Sequence, residues 1–160
     1  MSLGLYLHIP YCFSKCRYCD FYSAPGTRGV PSAYVDALLR ELSRFAPDAP
    51  LRPDTLYFGG GTPSLLTPAQ AAKLIEAAQP LPGAEITLEA NPETVTEDAL
   101  RGFREAGVNR ISFGVQSARD SQLKTLGRPH TARQARAAFA AARRAGFTNI
   151  SGDIMLALPH

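Results

Sequence analysis

The chain alternates short runs of β-branched and aromatic residues with longer stretches whose apolar residues recur at helical spacing. A weak internal repeat supports this pattern, because residues 106–112 and 145–151 both begin with Ala-Gly and end with Ile-Ser. Each copy joins a helix-ending glycine to a strand through a short connection. Strands that alternate with helices predict a parallel sheet with right-handed connections. We therefore predict an α/β fold, and the pattern leaves open whether the sheet is open or curved into a barrel.

The predicted elements cover most of the chain. Strands are predicted over residues 3–9, 55–58, 85–89, 110–116 and 149–155. Helices are predicted over residues 32–45, from residue 67 onward, over 96–106 and over 131–145. One face of the first helix is predicted to consist of Tyr34, Leu38, Leu42 and Phe45. The start of the second helix is marked by the capping-box sequence Thr67-Pro68-Ala69-Gln70.

Charge and hydropathy exclude two function classes. The formal net charge is +3 and the basic residues are scattered, so no nucleic-acid-binding stripe is predicted. No apolar run is long enough to span a membrane. The N-terminal segment lacks the basic region of a signal peptide and leads directly into a strand, which favours a cytoplasmic protein. Residues 1–160 are predicted to form one domain, and because no helix follows the fifth strand we expect it to be part of a longer protein.

The three cysteines of the chain, Cys12, Cys16 and Cys19, lie within eight residues in the loop after the first strand. An odd number of cysteines at this spacing is a poor disulfide framework, whereas thiolates suit both iron–sulfur clusters and zinc. A structural zinc site needs four ligands, and His8, which lies within a strand, is the candidate for a fourth. A four-iron cluster on three cysteines would leave one iron open to a cofactor. Structural thiols without metal are the third interpretation.

Glycine or hydrogen-bonding residues lie at or near the ends of all five predicted strands, where parallel β/α folds bind their ligands. These strand ends are the cysteine loop, Gly59-Gly60-Gly61-Thr62-Pro63, Glu89-Ala90-Asn91-Pro92, Gly114-Val115-Gln116-Ser117 and the segment containing Asp153. The glycine run lacks the spacing and lysine of a phosphate-binding loop, so it permits either a close approach of the backbone to a ligand or a simple tight turn.

Other residues near these strand ends are ambiguous when each is taken alone. Glu89 either binds a ribose diol through its carboxylate or is a solvated residue at the end of a strand. Gln116 and Asp153 are each equally ambiguous. Tyr6 and His8 share one face of the first strand, where they point into a site or fill the interior. Tyr18 either packs over a bound adenine or is an aromatic residue that packs at the protein surface.

Taken together, these segments resemble the radical S-adenosylmethionine (SAM) superfamily. Within it they are most similar to the oxygen-independent coproporphyrinogen III oxidase group, and in particular to its HemW-type branch of heme chaperones. The matching segments are residues 5–12, 18–21, 59–64, 89–92, 112–117, 126–128 and Asp153. The resemblance covers essentially the whole chain as the N-terminal part of a longer protein. It implies a partial TIM-like (β/α)6 barrel, here truncated after about five units.

The resemblance also implies the ligands of the site. A [4Fe-4S] cluster would be held by Cys12, Cys16 and Cys19, and its open iron would bind the amino and carboxylate groups of SAM. Glu89 would contact the ribose, and the methionine end of SAM would be held by Gly60, Gly61 and Thr62. The rest of the cofactor pocket would be formed by Tyr6, Tyr18, Gln116, Arg128 and Asp153.

The implied chemistry is transfer of an electron from the reduced cluster to the sulfonium, which yields a 5′-deoxyadenosyl radical and methionine. The implied partners are SAM, heme or a porphyrinogen, an electron donor such as a flavodoxin, and a transient membrane-protein acceptor of heme. The porphyrinogen-oxidising branch carries a further cysteine two residues after its last ligand, where this chain has Phe21. Heme delivery is therefore the expected role, and coproporphyrinogen oxidation and a zinc-binding structural module are the alternatives.

Two positions depart from the family pattern. The fifth strand contains Ser151-Gly152-Asp153, where the family more often has asparagine and an apolar residue. Ala157 stands where glycine is usual before Leu158-Pro159. Both departures concern the local geometry around Asp153.

Overall fold

Five parallel strands form one sheet in the computed structural model, which describes residues 2–45 and 50–158. The strands are β1 (Gly4–Ile9), β2 (Thr55–Gly60), β3 (Glu85–Ala90), β4 (Arg110–Gln116) and β5 (Asn149–Ile154). The helices are α1 (Ser32–Phe45), α2 (Pro68–Ala78), α3 (Glu97–Glu105), α4 (Asp120–Leu126) and α5 (Ala132–Arg144). None of the helices in these two ranges has the length and apolar character needed to cross a bilayer.

The order of strands in the sheet is the order of strands in the chain. β1 pairs with β2, β2 with β3, β3 with β4 and β4 with β5, and every pair is parallel. A doubly wound sheet reverses its order at a switch point, whereas the wall of a β/α barrel keeps the sequence order. The predicted α/β class is confirmed. Periodicity left open whether the sheet is open or curved into a barrel, and the observed strand order is that of a barrel wall.

The two faces of the sheet differ sharply in polarity. The face covered by the helices is apolar and includes the fully buried Ile9, Leu56, Phe58, Leu88, Ile111 and Phe113. Because side chains alternate along a strand, the next residue in each case points to the opposite face. That inner face carries mostly polar side chains, namely Tyr6, His8, Tyr57, Thr87, Glu89, Arg110, Ser112, Ser151 and Asp153.

A hydrogen-bond network connects the inner face across three strands. The Arg110 guanidinium donates to Thr87 Oγ1 at 3.2 Å and to Ser151 Oγ at 3.0 Å. Ser151 Oγ donates in turn to Ser112 Oγ at 2.9 Å. These bonds satisfy a charged group within a partly buried layer, where a polar group without a partner would be costly. The inner face is therefore a polar surface that leads toward the carboxyl ends of the strands.

Local sequence signals place most element boundaries correctly. α1 and β4 have the predicted bounds, and β2 runs two residues further than predicted because Gly59 and Gly60 pair with β1. Thr67 caps α2 and Thr131 caps α5, each through a complete capping box. Thr96 caps α3 by accepting a bond from Ala99 N.

The structure adds to the sequence-based expectation at two helices. α4 was not predicted, because it has only seven residues and no side-chain cap at its start. Its end is defined by Gly127, which has a φ of 72°. Phe45 does not share the buried face of α1, since it is the last residue of the helix and 75% exposed. Leu42 on the same predicted face is buried.

Candidate functional site

One pocket lies where the carboxyl ends of the strands meet the loop after β1. Eleven of the twelve residues predicted for the site line this pocket: Cys12, Cys16, Tyr18, Cys19, Gly60, Gly61, Thr62, Glu89, Gln116, Arg128 and Asp153. Further lining residues to which the sequence assigned no binding role include Ser14, Lys15, Phe21, Ser23, Asn91, Ser112 and Gly114. Four strand ends and the cysteine loop thus contribute to a single cavity.

The cysteine loop is anchored at Cys12, contains a tight turn from Cys16 to Cys19, and lines the pocket. Cys12 is buried, its N–H donates to Ala24 O at 3.1 Å, and its carbonyl accepts from Thr27 N at 3.1 Å. Cys19 N donates to Cys16 O at 3.1 Å, which closes a tight turn. Within residues 2–45 and 50–158, no three histidine, cysteine, aspartate or glutamate side chains lie close enough together to hold a single metal ion. The three thiols therefore line one wall without converging on one point.

The glycine run at the end of β2 packs directly against the cysteine loop. A Cβ atom on Gly61 would lie 2.8 Å from Tyr11 O and 2.9 Å from Cys12 Sγ. Gly60 has a φ of 118°, a conformation that favours glycine, and a Cβ atom there would lie 2.7 Å from the His8 ring. Gly61 thus leaves the space in which the cysteine loop approaches the sheet, and Gly60 leaves the space occupied by the His8 ring.

The carboxylate of Glu89 is held at both oxygens. Tyr57 Oη donates to Oε1 at 2.7 Å, and Gly60 N donates to Oε2 at 3.2 Å. Burial raises the pKa of Glu89, while these two hydrogen bonds act in the opposite direction. Burial also raises the pKa of Tyr57, and the bond to Glu89 adds to this, so the phenol stays a donor. The sequence assigned no role to Tyr57, although strand periodicity places it on the inner face beside Glu89.

Arg128 connects the cysteine loop to two strand ends. Its guanidinium donates to Cys16 Sγ at 3.4 Å and to Gly114 O at 2.7 Å. It also donates to Asn91 Oδ1 at 2.5 Å, and Asn91 Nδ2 donates to Thr62 Oγ1 at 3.1 Å. Burial alone would lower the pKa of Arg128, but Cys16, Tyr18 and Glu93 together outweigh burial and the pKa is raised.

The residues of the pocket leave two buried polar atoms without partners. Among the described residues, Ser23 Oγ and Arg128 Nε are the buried side-chain polar atoms that make no hydrogen bond. Both residues line the pocket. Since buried polar atoms are nearly always paired in proteins, their position indicates a polar ligand at this place. Three soft thiols and such unpaired atoms fit an iron–sulfur cluster together with a polar cofactor.

Tyr6 lies outside the lining of the pocket. Its ring stacks on Tyr57 with 6.0 Å between centroids, and its hydroxyl lies 3.2 Å from His8 Nδ1. His8 Nε2 lies 3.0 Å from Tyr22 O, so both nitrogens of this ring have a protein partner. A direct contact between Tyr6 and a cofactor therefore stays a prediction. Tyr18 lines the pocket beside Cys16, and burial raises its pKa to about 12.

The end of β4 is irregular at the pocket. A bulge lies between Gly114 and Gln116, and Gln116 has a φ of 64°. Non-glycine residues adopt this conformation rarely, and such residues cluster at functional sites. The irregular strand end brings Gln116 into the lining of the pocket.

The structure explains the glycine at position 152, and nothing in it explains the alanine at position 157. A Cβ atom on Gly152 would lie 2.9 Å from the ring of Phe139, so the aromatic ring fills the space that a larger residue would take. Ala157 has a φ of 53°, which is the conformation that favours glycine. Asp153 still lines the pocket and accepts a bond from Ser112 Oγ at 3.4 Å.

Comparison with known proteins gives a consistent result. The model of the radical SAM superfamily matches residues 6–160. The heme chaperone HemW of Escherichia coli strain K12 is 45% identical, over 98% of this chain and 43% of its own length. The mitochondrial radical S-adenosyl methionine domain-containing protein 1 of Bos taurus is 41% identical, over 98% of this chain and 36% of its own length.

A solved structure agrees with these relatives. Coproporphyrinogen III oxidase from Escherichia coli, described as a radical SAM enzyme, superposes with a TM-score of 0.85 at 33% identity. The match covers 99% of this chain and 38% of that protein. The chain spans less than half the length of each of these three proteins.

Proposed function

This chain belongs to the radical SAM superfamily, and on that premise we propose that it holds a [4Fe-4S] cluster on Cys12, Cys16 and Cys19 and binds SAM beside it. The observation that carries the proposal is the shared pocket, in which the cysteine loop faces the ends of β2, β3 and β4. A cluster with three protein ligands keeps one iron open. The adjoining glycines, carboxylate and guanidinium offer the groups that an amino acid and a ribose require.

Different residues of the pocket would contact different parts of the cofactor. When bound, the cluster supplies the electron that cleaves SAM into methionine and a 5′-deoxyadenosyl radical. Gly60 and Gly61 leave room for the methionine end beside Thr62, and Arg128 offers positive charge to a carboxylate. Glu89 would accept hydrogen bonds from the ribose hydroxyls, since each of its oxygens has a lone pair left. The remaining contacts with the cofactor are assigned to Tyr6, Tyr18, Gln116 and Asp153.

The role in the cell that we propose is heme delivery. The relatives named HemW are 37–45% identical to this chain, and Phe21 occupies the position where the porphyrinogen-oxidising branch has a cysteine. Heme, a reduced electron donor such as a flavodoxin and a membrane-protein acceptor of heme are the corresponding partners, in the cytoplasm. The second candidate is oxidation of coproporphyrinogen III, which the structural similarity to the Escherichia coli oxidase favours.

Anaerobic reconstitution with iron and sulfide tests the cofactor proposal. We expect a coloured protein with about four irons per chain, whose reduced form gives an electron paramagnetic resonance (EPR) signal that changes on addition of SAM. A colourless protein that takes up zinc alone through intact cysteines would overturn the proposal. Heme titration and a coproporphyrinogen turnover assay on the full-length protein then separate the two roles. Turnover without heme binding would favour the oxidase.

The Tyr57→Phe variant is expected to bind SAM about tenfold more weakly. Losing the bond to Glu89 frees the carboxylate to rotate, and a hydrogen bond to a charged group contributes about 1.5–3 kcal/mol. Calorimetric titration measures the affinity, and methionine alone should bind equally well to both proteins because it lacks the ribose. Tyr34→Phe is the matched control, since Tyr34 Oη donates to His8 O away from the pocket. Equal SAM affinities for the Tyr57 and Tyr34 variants would contradict the assignment.

A further inference from the structure

Cys12 and Cys16 accept hydrogen bonds from the two ends of one chain of polar side chains. Thr62 Oγ1 donates to Cys12 Sγ at 3.4 Å, and the Arg128 guanidinium donates to Cys16 Sγ at the same distance. Asn91 stands between the two donors, bonded to Thr62 through Nδ2 and to Arg128 through Oδ1. Thr62 follows β2, Asn91 follows β3 and Arg128 follows α4, so the chain of bonds is a product of the tertiary fold.

The direction of every bond in this chain is fixed by chemistry. Arg128 has donors only, so the carbonyl oxygen of the Asn91 amide must face it. The amide nitrogen then faces Thr62 and donates to its oxygen. Because that oxygen is occupied as an acceptor, the hydroxyl proton of Thr62 is directed to the sulfur of Cys12. Asn91 thereby orients both donors toward sulfur.

The surroundings keep these bonds intact. Thr62 is 3% exposed and Cys12 is 8% exposed, so little water competes for the hydroxyl or the sulfur. A Cβ atom on Gly114 would lie 3.0 Å from Asn91 Oδ1 and 3.2 Å from Arg128 Nη2. The glycine at this position therefore leaves the space in which the amide and the guanidinium meet.

We propose that Asn91 is a positioning residue that, through Thr62 and Arg128, raises the reduction potential of a cluster bound to Cys12 and Cys16. The proposal rests on the proposed function. Reduction adds one electron, and part of the added negative charge falls on the ligand sulfurs. Hydrogen bonds to these sulfurs stabilise the reduced form more than the oxidised form, and such bonds are among the factors that set cluster potentials.

A redox titration of the reconstituted protein tests this role. The cluster is titrated with dithionite and mediators without SAM, and the reduced form is counted from its EPR signal. We expect Asn91→Leu and Thr62→Val to lower the equilibrium constant for reduction about tenfold, which for a one-electron couple is about 59 mV. Thr62→Ser, which keeps the hydroxyl, should restore a potential close to that of the unmodified protein.

Thr94→Val is the matched control for loss of a hydroxyl. The Thr94 hydroxyl bonds to Ser64 Oγ and to Asn91 O and contacts no sulfur, so its removal should leave the potential unchanged. Equal potentials for the Asn91, Thr62 and unmodified proteins would overturn the inference. If Asn91→Leu does not retain the cluster, the pair Thr62→Val and Thr62→Ser measures the same effect. Failure of the unmodified protein to assemble a cluster would instead overturn the proposed function.

Discussion

The Cys16→Ala variant is expected to leave anaerobic reconstitution with almost no bound iron. The cluster would lose one of three protein ligands, and two thiolates from one loop cannot hold a four-iron cube of which one iron is already open. The change also removes the sulfur that accepts a bond from Arg128 at 3.4 Å. Iron content, acid-labile sulfide and the EPR signal of the reduced protein measure the loss.

Phe13→Leu provides the control for the same loop. Phe13 follows Cys12 directly, is 41% exposed and does not line the pocket, so its change tests whether any alteration of the loop prevents assembly. We expect this variant to take up iron as the unmodified protein does. A Cys16→Ala protein with a full iron content and an unchanged EPR signal would remove Cys16 from the ligand set.

The Gly61→Ala variant is expected to lose both stability and iron binding. Its new Cβ atom would collide with two backbone oxygens, Tyr11 O at 2.8 Å and Ile9 O at 3.1 Å, and with the sulfur of Cys12. Backbone atoms cannot move away cheaply here, because Gly61 N donates to Ile9 O at 2.8 Å. Overpacking of this kind costs about 1–3 kcal/mol, and relief of the clash would displace the cysteine loop.

Urea unfolding and iron content together check this prediction. Gly29→Ala is the matched control, because the nearest heavy atom to a Cβ there is Leu65 O at 4.0 Å. We expect the control to change the free energy of unfolding by less than about 0.5 kcal/mol. A Gly61→Ala protein as stable and as rich in iron as Gly29→Ala would show that neither stability nor iron binding requires the close contact between Gly61 and the cysteine loop.

Features set by neighbouring residues were predictable from the sequence. The capping boxes at Thr67 and Thr131 place the starts of α2 and α5. The three cysteines and the glycine run marked the two segments that the structure brings into one pocket. Both kinds of signal are local, because the residues that produce them lie within a few positions of one another.

Features that depend on distant residues were not predictable from the residues alone. Tyr57 reaches Glu89 across 32 positions, and Asn91 reaches Arg128 across 37. Periodicity places Tyr57 and Glu89 on the inner face, but their contact also requires the register between β2 and β3, and the contact of Asn91 with Arg128 requires the position of the segment after α4. The order of strands in the sheet is likewise a matter of long-range pairing. Phe45 has the right helical spacing for the core, but only the tertiary structure shows that its side chain is exposed.

The sequential strand order also determines when the site can be completed during synthesis. The cysteine loop leaves the ribosome well before Arg128, which reaches Cys16 across 112 positions. Arg17 N bonds to Leu126 O, so the backbone of the loop also depends on a late segment. Contacts at such separations form after the chain between them has been made and its closure entropy has been overcome. The pocket can therefore be completed only after α4 and Arg128 have been made and have packed against the cysteine loop.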